Sequence, residues 1–292
     1  MTRAKSATTV AQHPFDEAVT LNAIAATVHE HGRESARHFE GRTHPAYGNM
    51  VGPFGGITAA QALQAVLQHP ERLGEPVSFT VNFAAGLADG PFRIEARPVR
   101  TNRSTQHWTV AIAQTSADGV DSVMLVATAV TAVRRATWSA VDAPMPAAAP
   151  PTDVPRAPFT DRVRWVSRYD MRPVAGSMPQ HWDGSEADSL TQLWLRDDPP
   201  RPLDYLSLTA LADAFFPRIW LRRALMTPIG TVSLTVYFHA GAEELAATGE
   251  GYLLGQARSQ SFFNGFFDQS AALWNEAGHL LATTHQIVYY KE

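Results

Sequence analysis

Hydrophobic and polar residues alternate with a period of about two in several separate segments of this chain. Such alternation is typical of strands that are buried on one face of a sheet. In the first half of the chain it predicts strands over residues 77–83, 92–101, 104–115 and 122–133. In the second half it predicts strands over residues 231–239, 251–259, 262–275 and 280–290. The pattern therefore predicts two four-stranded meanders.

A helix is predicted before each meander. Residues 55–67 read GGITAAQALQAVL and are rich in helix formers, and residues 203–216 form a second helical run that ends before Pro217. Shorter strand-like segments precede the helices, at residues 18–26, 33–42, 163–169 and 190–196. Because one helix covers only one side of a curved sheet, we expect the two units to pair with each other.

The two halves are copies of one unit. The sequence VSFTVNFAAG at residues 77–86 returns as VSLTVYFHAG at residues 232–241, a separation of 155 residues. The same separation relates residues 103–104 to 258–259, and residues 127–128 to 282–283. Agreement of three segments on one separation indicates a tandem duplication.

A proline-rich stretch separates the copies. Six prolines fall between residues 138 and 161, where little could fill a core, so an extended connector is predicted. The predicted division is a first unit at residues 1–137, a connector at residues 138–161 and a second unit at residues 162–292.

Composition narrows the possible classes of function. The 292 residues carry a formal net charge of −4 and no cysteine, which excludes disulfides, thiolate metal sites and a cysteine nucleophile. Scattered Lys and Arg residues disfavour a nucleic-acid partner. No apolar run reaches the length of a membrane span, and the N-terminal residues lack the pattern of a signal peptide, so we expect a cytoplasmic protein without membrane insertion. The histidines at positions 29, 31, 38 and 44 lack metal-ligand spacing, and no metal site is predicted.

Three polar residues are present in the second copy without an equivalent in the first. At the 155-residue separation, Asp213 falls on Thr58, Thr231 on Pro76 and Gln286 on Thr131. Asp213 shares one face of the predicted helix with Leu206 and Ala210. A carboxylate among apolar residues costs free energy unless hydrogen-bond donors or a cation compensate it, and catalytic acids and bases often occur in such places. Each residue also has a structural alternative. These alternatives are a capping or solvent-facing aspartate, a common strand threonine and an edge-strand glutamine in contact with water.

Together these residues suit the attack of water on an activated carbonyl. Asp213 can take a proton from water, while the hydroxyl of Thr231 and the amide of Gln286 can hold that water. A helix start offers unbonded N–H groups for the developing oxyanion, and Gly55 and Gly56 are the candidates for this role. Arg258 and Ser259 complete the predicted substrate-binding residues. The serine-hydrolase motif GxSxG is absent.

The stretches GPFGGITAAQAL, ADAFFP, GTVSLTVYFH and LLATTHQ resemble the acyl-CoA thioesterases of the double hotdog fold, over about residues 47–290. This resemblance implies an α+β fold of two tandem hotdog units, each a long helix wrapped by a curved antiparallel sheet. It implies an acyl-CoA substrate, no cofactor and a catalytic trio of Asp213, Thr231 and Gln286. Relatives often carry a charged or hydrogen-bonding residue where this chain has Ser233. The first copy is then a degenerate unit.

Two other functions stay open at this stage. One is a non-catalytic acyl-CoA or lipid binder that kept the pocket. The other is an enoyl-CoA hydratase of the hotdog type, for which His239 is of interest, although the short Asp-His motif of such hydratases is absent. A homodimer or larger homo-oligomer is expected, because relatives associate further.

Overall fold

The computed structural model of the protein describes residues 12–24, 36–158, 163–186 and 188–292. These residues form five α-helices, which are α1 (Pro14–Ala18), α2 (Gly55–Leu67), α3 (Tyr205–Leu211), α4 (Arg218–Arg223) and α5 (Ala242–Thr248). They form the strands β1 (Asn22–Ile24), β2 (Arg37–Arg42), β3 (Glu75–Phe83), β4 (Pro91–Thr101), β5 (Thr105–Thr115), β6 (Asp121–Ala132), β7 (Tyr169–Ala175), β8 (Thr191–Asp197), β9 (Ile229–Phe238), β10 (Leu253–Arg258), β11 (Phe262–Phe263), β12 (Phe266–Asn275) and β13 (Leu280–Tyr290). Short 3-10 helices lie at Pro45–Tyr47, Pro151–Asp153 and Arg164–Arg168.

One antiparallel sheet contains all of these strands. Their order is β1-β2-β4-β5-β6-β3-β9-β13-β12-β10-β8-β7, and β11 pairs with β12 beside this path. Strands of the first copy fill one half of the sheet, and strands of the second copy fill the other half in the reverse order. The two copies therefore join edge to edge through β3 and β9, and neither of these strands is left as an open edge.

The junction between the copies is symmetric. Thr80 of β3 stands opposite Thr235 of β9, and these two residues are separated by the 155-residue repeat. On either side, Ser78 pairs with Tyr237 and Asn82 pairs with Ser233, again as symmetry-related pairs. The hydroxyl oxygens of the two threonines are 3.0 Å apart. The duplicated segments thus pair with one another about a local two-fold axis, as in an isologous interface.

The core lies between the sheet and the paired helices. α2 packs against α3 and against β4 and β5. Ten of the thirteen residues of α2 are buried, which is possible because six of its residues are alanine or leucine and its buried glutamine is satisfied. Gln61, for example, donates to the carbonyl oxygens of Ala18 at 2.6 Å and Arg42 at 3.0 Å. Among the described helices, none is long and apolar enough to cross a membrane.

Most of the predicted elements are present, and two match residue for residue. The helix at residues 55–67 and the strand at residues 280–290 have the predicted bounds. The predicted helix at residues 203–216 is wrong in length. α3 ends at Leu211, because the N–H groups of Asp213 and Ala214 bond three residues back and tighten the last turn. After Pro217, which cannot donate, the separate helix α4 begins.

Two predicted strands are also corrected. Residues 164–168 form a 3-10 helix, and β7 starts only at Tyr169. The segment at residues 262–275 is a hairpin, because Asn264 and Gly265 both have positive φ angles, 52° and 77°. An Asn-Gly pair with this backbone forms the tight turn that joins β11 to β12. Helix α5, between β9 and β10, is not predicted by the sequence pattern.

The two N-terminal strand predictions are shorter in the structure. Within the predicted strand at residues 18–26, Ala18 ends helix α1 and only Asn22–Ile24 is a strand, while residues 25–26 lie outside the described residues. Within the prediction at residues 33–42, the strand is Arg37–Arg42, and residues 33–35 lie outside the described residues.

The proline-rich connector covers the outer face of the second-copy sheet. The indole N–H of Trp194 donates to the carbonyl of Ala149 at 2.9 Å, and that of Trp274 donates to the carbonyl of Ala143 at 3.1 Å. Val154 is buried there in a small cluster that includes Trp194. Apart from the 3-10 helix at Pro151–Asp153, the described residues of this segment form no helix or strand, and they contribute more to a core than the sequence pattern predicts.

The threonine pair at the junction gives a test of the symmetric seam. We expect Thr80→Val and Thr235→Val each to lower the free energy of unfolding, because either change removes the hydroxyl contact and leaves one hydroxyl without its partner. The coupling between the two sites is expected to be about 1 kcal/mol. Urea unfolding of both single variants and the double variant measures it. Strictly additive losses would contradict the contact.

Candidate active site

Asp213 lies at the point where the two copies meet. It follows the last turn of α3, and its carboxylate accepts a hydrogen bond from the backbone N–H of Gly56, at the start of α2. The side chain of Phe54, the residue before this helix, makes no cap hydrogen bond. A carboxylate from the second copy therefore caps the helix of the first copy, where the helix dipole favours negative charge.

The two glycines permit this close contact. A Cβ atom on Gly55 would stand 2.8 Å from Oδ2 of Asp213, and one on Gly56 would stand 2.7 Å from the carbonyl oxygen of Ala210. A side chain at Gly55 would push the helix start away from Asp213, and one at Gly56 would push it away from α3. Gly55 and Gly56 are thus explained by close approach, which a plain turn would not require.

Gln286 reaches the same carboxylate from the sheet. Its amide nitrogen donates to Oδ1 of Asp213 at 2.9 Å, and the residue is 3% exposed. β13 lies between β9 and β12, so its backbone groups are paired on both sides. The alternative of an edge-strand glutamine facing water is therefore wrong.

Thr231 faces this side of the sheet because of a β-bulge. The inward residues of β9 include Leu234 and Val236, and simple alternation would turn Thr231 outward. The ladder skips Val232, since Ile287 pairs with Ser233 and the next residue, Val288, pairs with Thr231. The bulge shifts the alternation by one residue and brings Thr231 onto the inner face, as bulges beside active sites do. Its hydroxyl makes no hydrogen bond to Asp213 or Gln286.

Aromatic side chains enclose the site on the side of α2. The ring of Phe54 stacks on Trp165, with ring centroids 4.1 Å apart. Tyr169 contacts both rings by its edge, at 6.1 Å and 6.0 Å. Tyr169 is buried, and the nearby charges of Asp197 and Asp213 add to that burial in raising its pKa well above the usual value.

This enclosure changes the acidity of Asp213. Burial raises the pKa of Asp213 to about 7, because the ionised carboxylate loses hydration. The hydrogen bonds from Gln286 and from the Gly56 N–H favour the ionised form and act in the opposite direction. The carboxyl group can therefore exchange a proton near neutral pH, which is the range that a general base requires.

The strand pairing corrects the comparison between the copies. In the first copy Phe79 pairs with Ala129, and in the second copy its repeat partner Leu234 pairs with Gln286. Gln286 thus stands at the position of Ala129, and the match to Thr131 is wrong by two residues. Because two residues are one strand period, the shift keeps Gln286 on the inner face.

The other predicted substrate-binding residues lie in a separate groove. Arg258 and Ser259 line a surface groove of about 850 Å³, which Asp213, Thr231 and Gln286 do not line. Arg258 is exposed and stands 3.5 Å from Asp188. Ser259 is 7% exposed, and its N–H donates to the hydroxyl of Ser189 at 3.2 Å.

Two of the histidines noted in the sequence, His44 and His239, have local partners. His44 accepts the N–H of Ala46 at 3.2 Å, and the prediction of no metal site there rests on spacing alone. His29 and His31 lie outside the described residues. His239 is exposed at the far end of β9 and stands 2.9 Å from the hydroxyl of Thr283, so it does not join Asp213.

Sequence reasoning missed two buried residues beside Gln286. Gln269 stands opposite Gln286 in the ladder, and Arg218 bonds to Gln269 at 3.0 Å. Gln269 occupies an inward position of β12 between Phe267 and Ala271. Its polar character in that apolar series was the available signal.

The chain matches two family models. The acyl-CoA thioesterase N-terminal domain matches residues 43–132, and the acyl-CoA thioesterase C-terminal domain matches residues 146–290. Among curated proteins no significant match is found.

Solved structures agree with the predicted fold. The chain is 46% identical to a conserved protein of unknown function with a hot dog fold from Alicyclobacillus acidocaldarius, over 97% of this chain and 99% of that chain, with a TM-score of 0.85. It is 20% identical to a putative thioesterase II from Thermobifida fusca, over 97% and 99% of the two chains, with a TM-score of 0.75. It is also 20% identical to an acyl-CoA thioesterase II from Mycobacterium marinum, over 95% and 98%, with a TM-score of 0.71. These similarities confirm the predicted double hotdog fold, and the chain belongs to the acyl-CoA thioesterase family.

Proposed function

We propose that the protein hydrolyses acyl-CoA thioesters to a free carboxylic acid and CoA. The observation that carries this proposal is the hydrogen bond of 2.9 Å from Gln286 to Asp213. The same carboxylate also accepts the N–H of Gly56 at the start of α2. It joins a carboxylate, an amide and a helix start in a chain of the acyl-CoA thioesterase family.

Asp213 is the general base in the proposed mechanism. Its carboxylate takes a proton from a water molecule as the water oxygen attacks the thioester carbonyl carbon. When the tetrahedral intermediate collapses, the carbon–sulfur bond breaks, and the proton passes from Asp213 to the leaving thiolate. Gln286 orients the carboxylate, and the hydroxyl of Thr231, on the same face, holds the water.

The helix start of α2 has donors left for the oxyanion. The Gly56 N–H bonds to Asp213, so this proposal assigns the oxyanion to other donors of the same turn. The N–H groups of Gly55 and Ile57 belong to the same first turn and have no backbone acceptor among the described residues. These two groups are the proposed oxyanion donors.

The first copy has a defined part in this proposal. It supplies α2, and with it the N–H groups at the helix start beside Asp213. It has no equivalent of Asp213, Thr231 or Gln286. The proposal keeps the division into a first unit at residues 1–137, a connector at residues 138–161 and a second unit at residues 162–292. It also keeps the expectation of a cytoplasmic homodimer or larger assembly, which sedimentation and cell fractionation test.

Removal of the base is the first test. We expect Asp213→Asn to lower kcat/KM by about a hundredfold or more, because general-base catalysis contributes at least that factor. The assay follows thiol release from acyl-CoAs that range from acetyl to palmitoyl. Asp118→Asn, which makes the same change in an exposed turn of the first copy, is the matched control.

Several outcomes would contradict the proposal. Full activity of Asp213→Asn would exclude Asp213 as the base. Tight acyl-CoA binding by calorimetry without thiol release in the wild-type protein would indicate a binder. Loss of enoyl-CoA absorbance without thiol release would indicate a hydratase.

The pH dependence follows from the acidity of Asp213. Only the ionised carboxylate is a base, so kcat/KM should rise with pH through about 7. The folded state favours the protonated form, so the contribution of Asp213 to stability falls as the pH rises from about 4 to 7. Asp213→Asn should therefore gain stability relative to wild type over that window. Rate profiles and thermal unfolding between pH 4 and 9 measure both effects, and pH-independent differences would contradict them.

The hydroxyl of Thr231 is tested by two substitutions. Thr231→Ser keeps a hydroxyl, and we expect its kcat to stay within about threefold of wild type. Thr231→Val keeps the shape without the hydroxyl, and we expect kcat to fall by about tenfold or more, the cost of one lost hydrogen bond of about 1.4 kcal/mol in the transition state. Equal rates in the two variants would remove Thr231 from the mechanism.

A further inference from the structure

A second layer of buried polar side chains lies behind Gln286. Gln269 of β12 stands directly opposite Gln286 of β13, and the two residues are 1% and 3% exposed on the inner face. Directly opposed residues have Cβ atoms about 5 Å apart. The two amides are therefore neighbours on the side of the sheet where Asp213 lies.

Arg218 holds this layer from the first turn of α4. It is fully buried, and its Nε donates to the oxygen of Gln269 at 3.0 Å and to the carbonyl of Phe216 at 3.1 Å. Its Nη1 donates to the carbonyl of Ser189 at 3.2 Å and to the hydroxyl of Thr191 at 2.5 Å, and its Nη2 donates to Phe216 at 2.5 Å. All of these partners are neutral.

A buried cation without a carboxylate is costly for a fold. Burial lowers the pKa of Arg218 to about 9, which reflects that cost. The first copy shows that this part of the sheet can be built without a buried cation. At the same ladder position it has Trp108 opposite Ala129, which are 1% and 2% exposed. Stability therefore does not explain why the second copy contains the polar layer.

The chemistry of the guanidinium explains it. An amide has a donor end and an acceptor end of nearly the same shape, whereas Arg218 can only donate. The oxygen of Gln269 must therefore face Arg218, and its NH2 group is the end left for other contacts. Arg218 also binds the carbonyl of Phe216, three residues after Asp213, and so fixes the segment that carries the carboxylate.

We propose that Arg218 and Gln269 are positioning residues, which orient the amide of Gln286 and the segment of Asp213 so that the Gln286 NH2 group faces the carboxylate. This inference rests on the proposed function and deepens it. Neither residue contacts the substrate. Their effect is to fix the geometry in which the base works, and displacements of about 1 Å in such a site cost about a hundredfold in rate.

Among the residues that the structure describes, few titratable groups face this layer. They are Arg218 of α4, Asp213 after α3 and Tyr169 of β7, which is near enough to Asp213 for their charges to interact. His285 of β13 and Asp268 of β12 stand 3.7 Å apart on the opposite face of the sheet. A new carboxylate at position 269 would pair with Arg218, and Asp213 is the next titratable group on which its charge would act.

The test is Gln269→Glu. The new carboxylate can pair with Arg218, so the melting temperature should not fall, but it cannot donate a hydrogen bond toward Gln286. We expect kcat to fall about tenfold or more with KM within about twofold, because the geometry of the base changes while the substrate contacts do not. The added negative charge should raise the pKa of Asp213, and with it the acid limb of the rate profile, by about one unit.

A matched control makes the same change on the outer face. Gln192 of β8 donates to the amide oxygen of Gln256 at 2.8 Å, and we expect Gln192→Glu to leave the rate and the acid limb unchanged. Arg218→Lys, which keeps the charge without the fork, is the second variant and should lower kcat in the same way. It decides the question if Gln269→Glu does not fold.

The outcomes separate this inference from the proposed function. If wild type is active and Asp213→Asn is not, unchanged kcat and an unchanged acid limb in Gln269→Glu would overturn the positioning role alone. If wild type hydrolyses no acyl-CoA, the proposed function fails. The Asp213 13Cγ shift then still tests the inference, because its NMR titration should move upward in Gln269→Glu and stay fixed in Gln192→Glu.

Discussion

The contact between the Asp213 carboxylate and the first turn of α2 is the constraint on which the site depends. A carboxylate in an apolar enclosure is unfavourable, and the Gly56 N–H and the Gln286 amide are the groups that compensate it. The contact requires a helix start with no side chain, which explains Gly55 and Gly56. The helix and the acid that make this contact come from different copies. The duplication is therefore part of the site itself, beyond its part in completing the sheet.

Symmetry and its loss have separate physical origins in this chain. The β3–β9 ladder is symmetric about Thr80 and Thr235. Each pair of residues on one side of these threonines therefore has an equivalent pair on the other side, and one duplicated sequence provides both sides of the junction. The asymmetry arises from inward side chains at one ladder position, where the second copy has two amides and the first copy has Trp108 and Ala129. An indole fills the space that the polar layer occupies in the other copy. The first copy is thus packed with an indole at this position, and the second copy has the polar layer and Asp213.

Local patterns predicted what local physics decides. Alternation in β13 and the alanine-rich run of α2 gave the bounds of both elements, because each is buried in a regular way. The Asn264-Gly265 pair is a turn signal in the sequence. The aromatic residues on both sides of it nevertheless favoured the prediction of one continuous strand. The bulge at Val232 and the two-residue shift of β13 could not be predicted, since both depend on pairing between strands distant in sequence. The bulge decides that Thr231 faces the same side as Gln286, whereas the two-residue shift changes the partner of Gln286 and leaves its face unchanged.

The same low-dielectric environment acts in opposite ways on two charged residues. Burial raises the pKa of Asp213 to about 7, which brings a carboxylate into the range of a general base. It lowers the pKa of Arg218 to about 9, although nearby amides and carbonyls accept its hydrogen bonds. Both effects reduce the stability of the charged, folded protein at neutral pH, and both are absent where Trp108 packs in the first copy. Stability alone would favour the first-copy arrangement, so the polar layer is best understood as a cost of function.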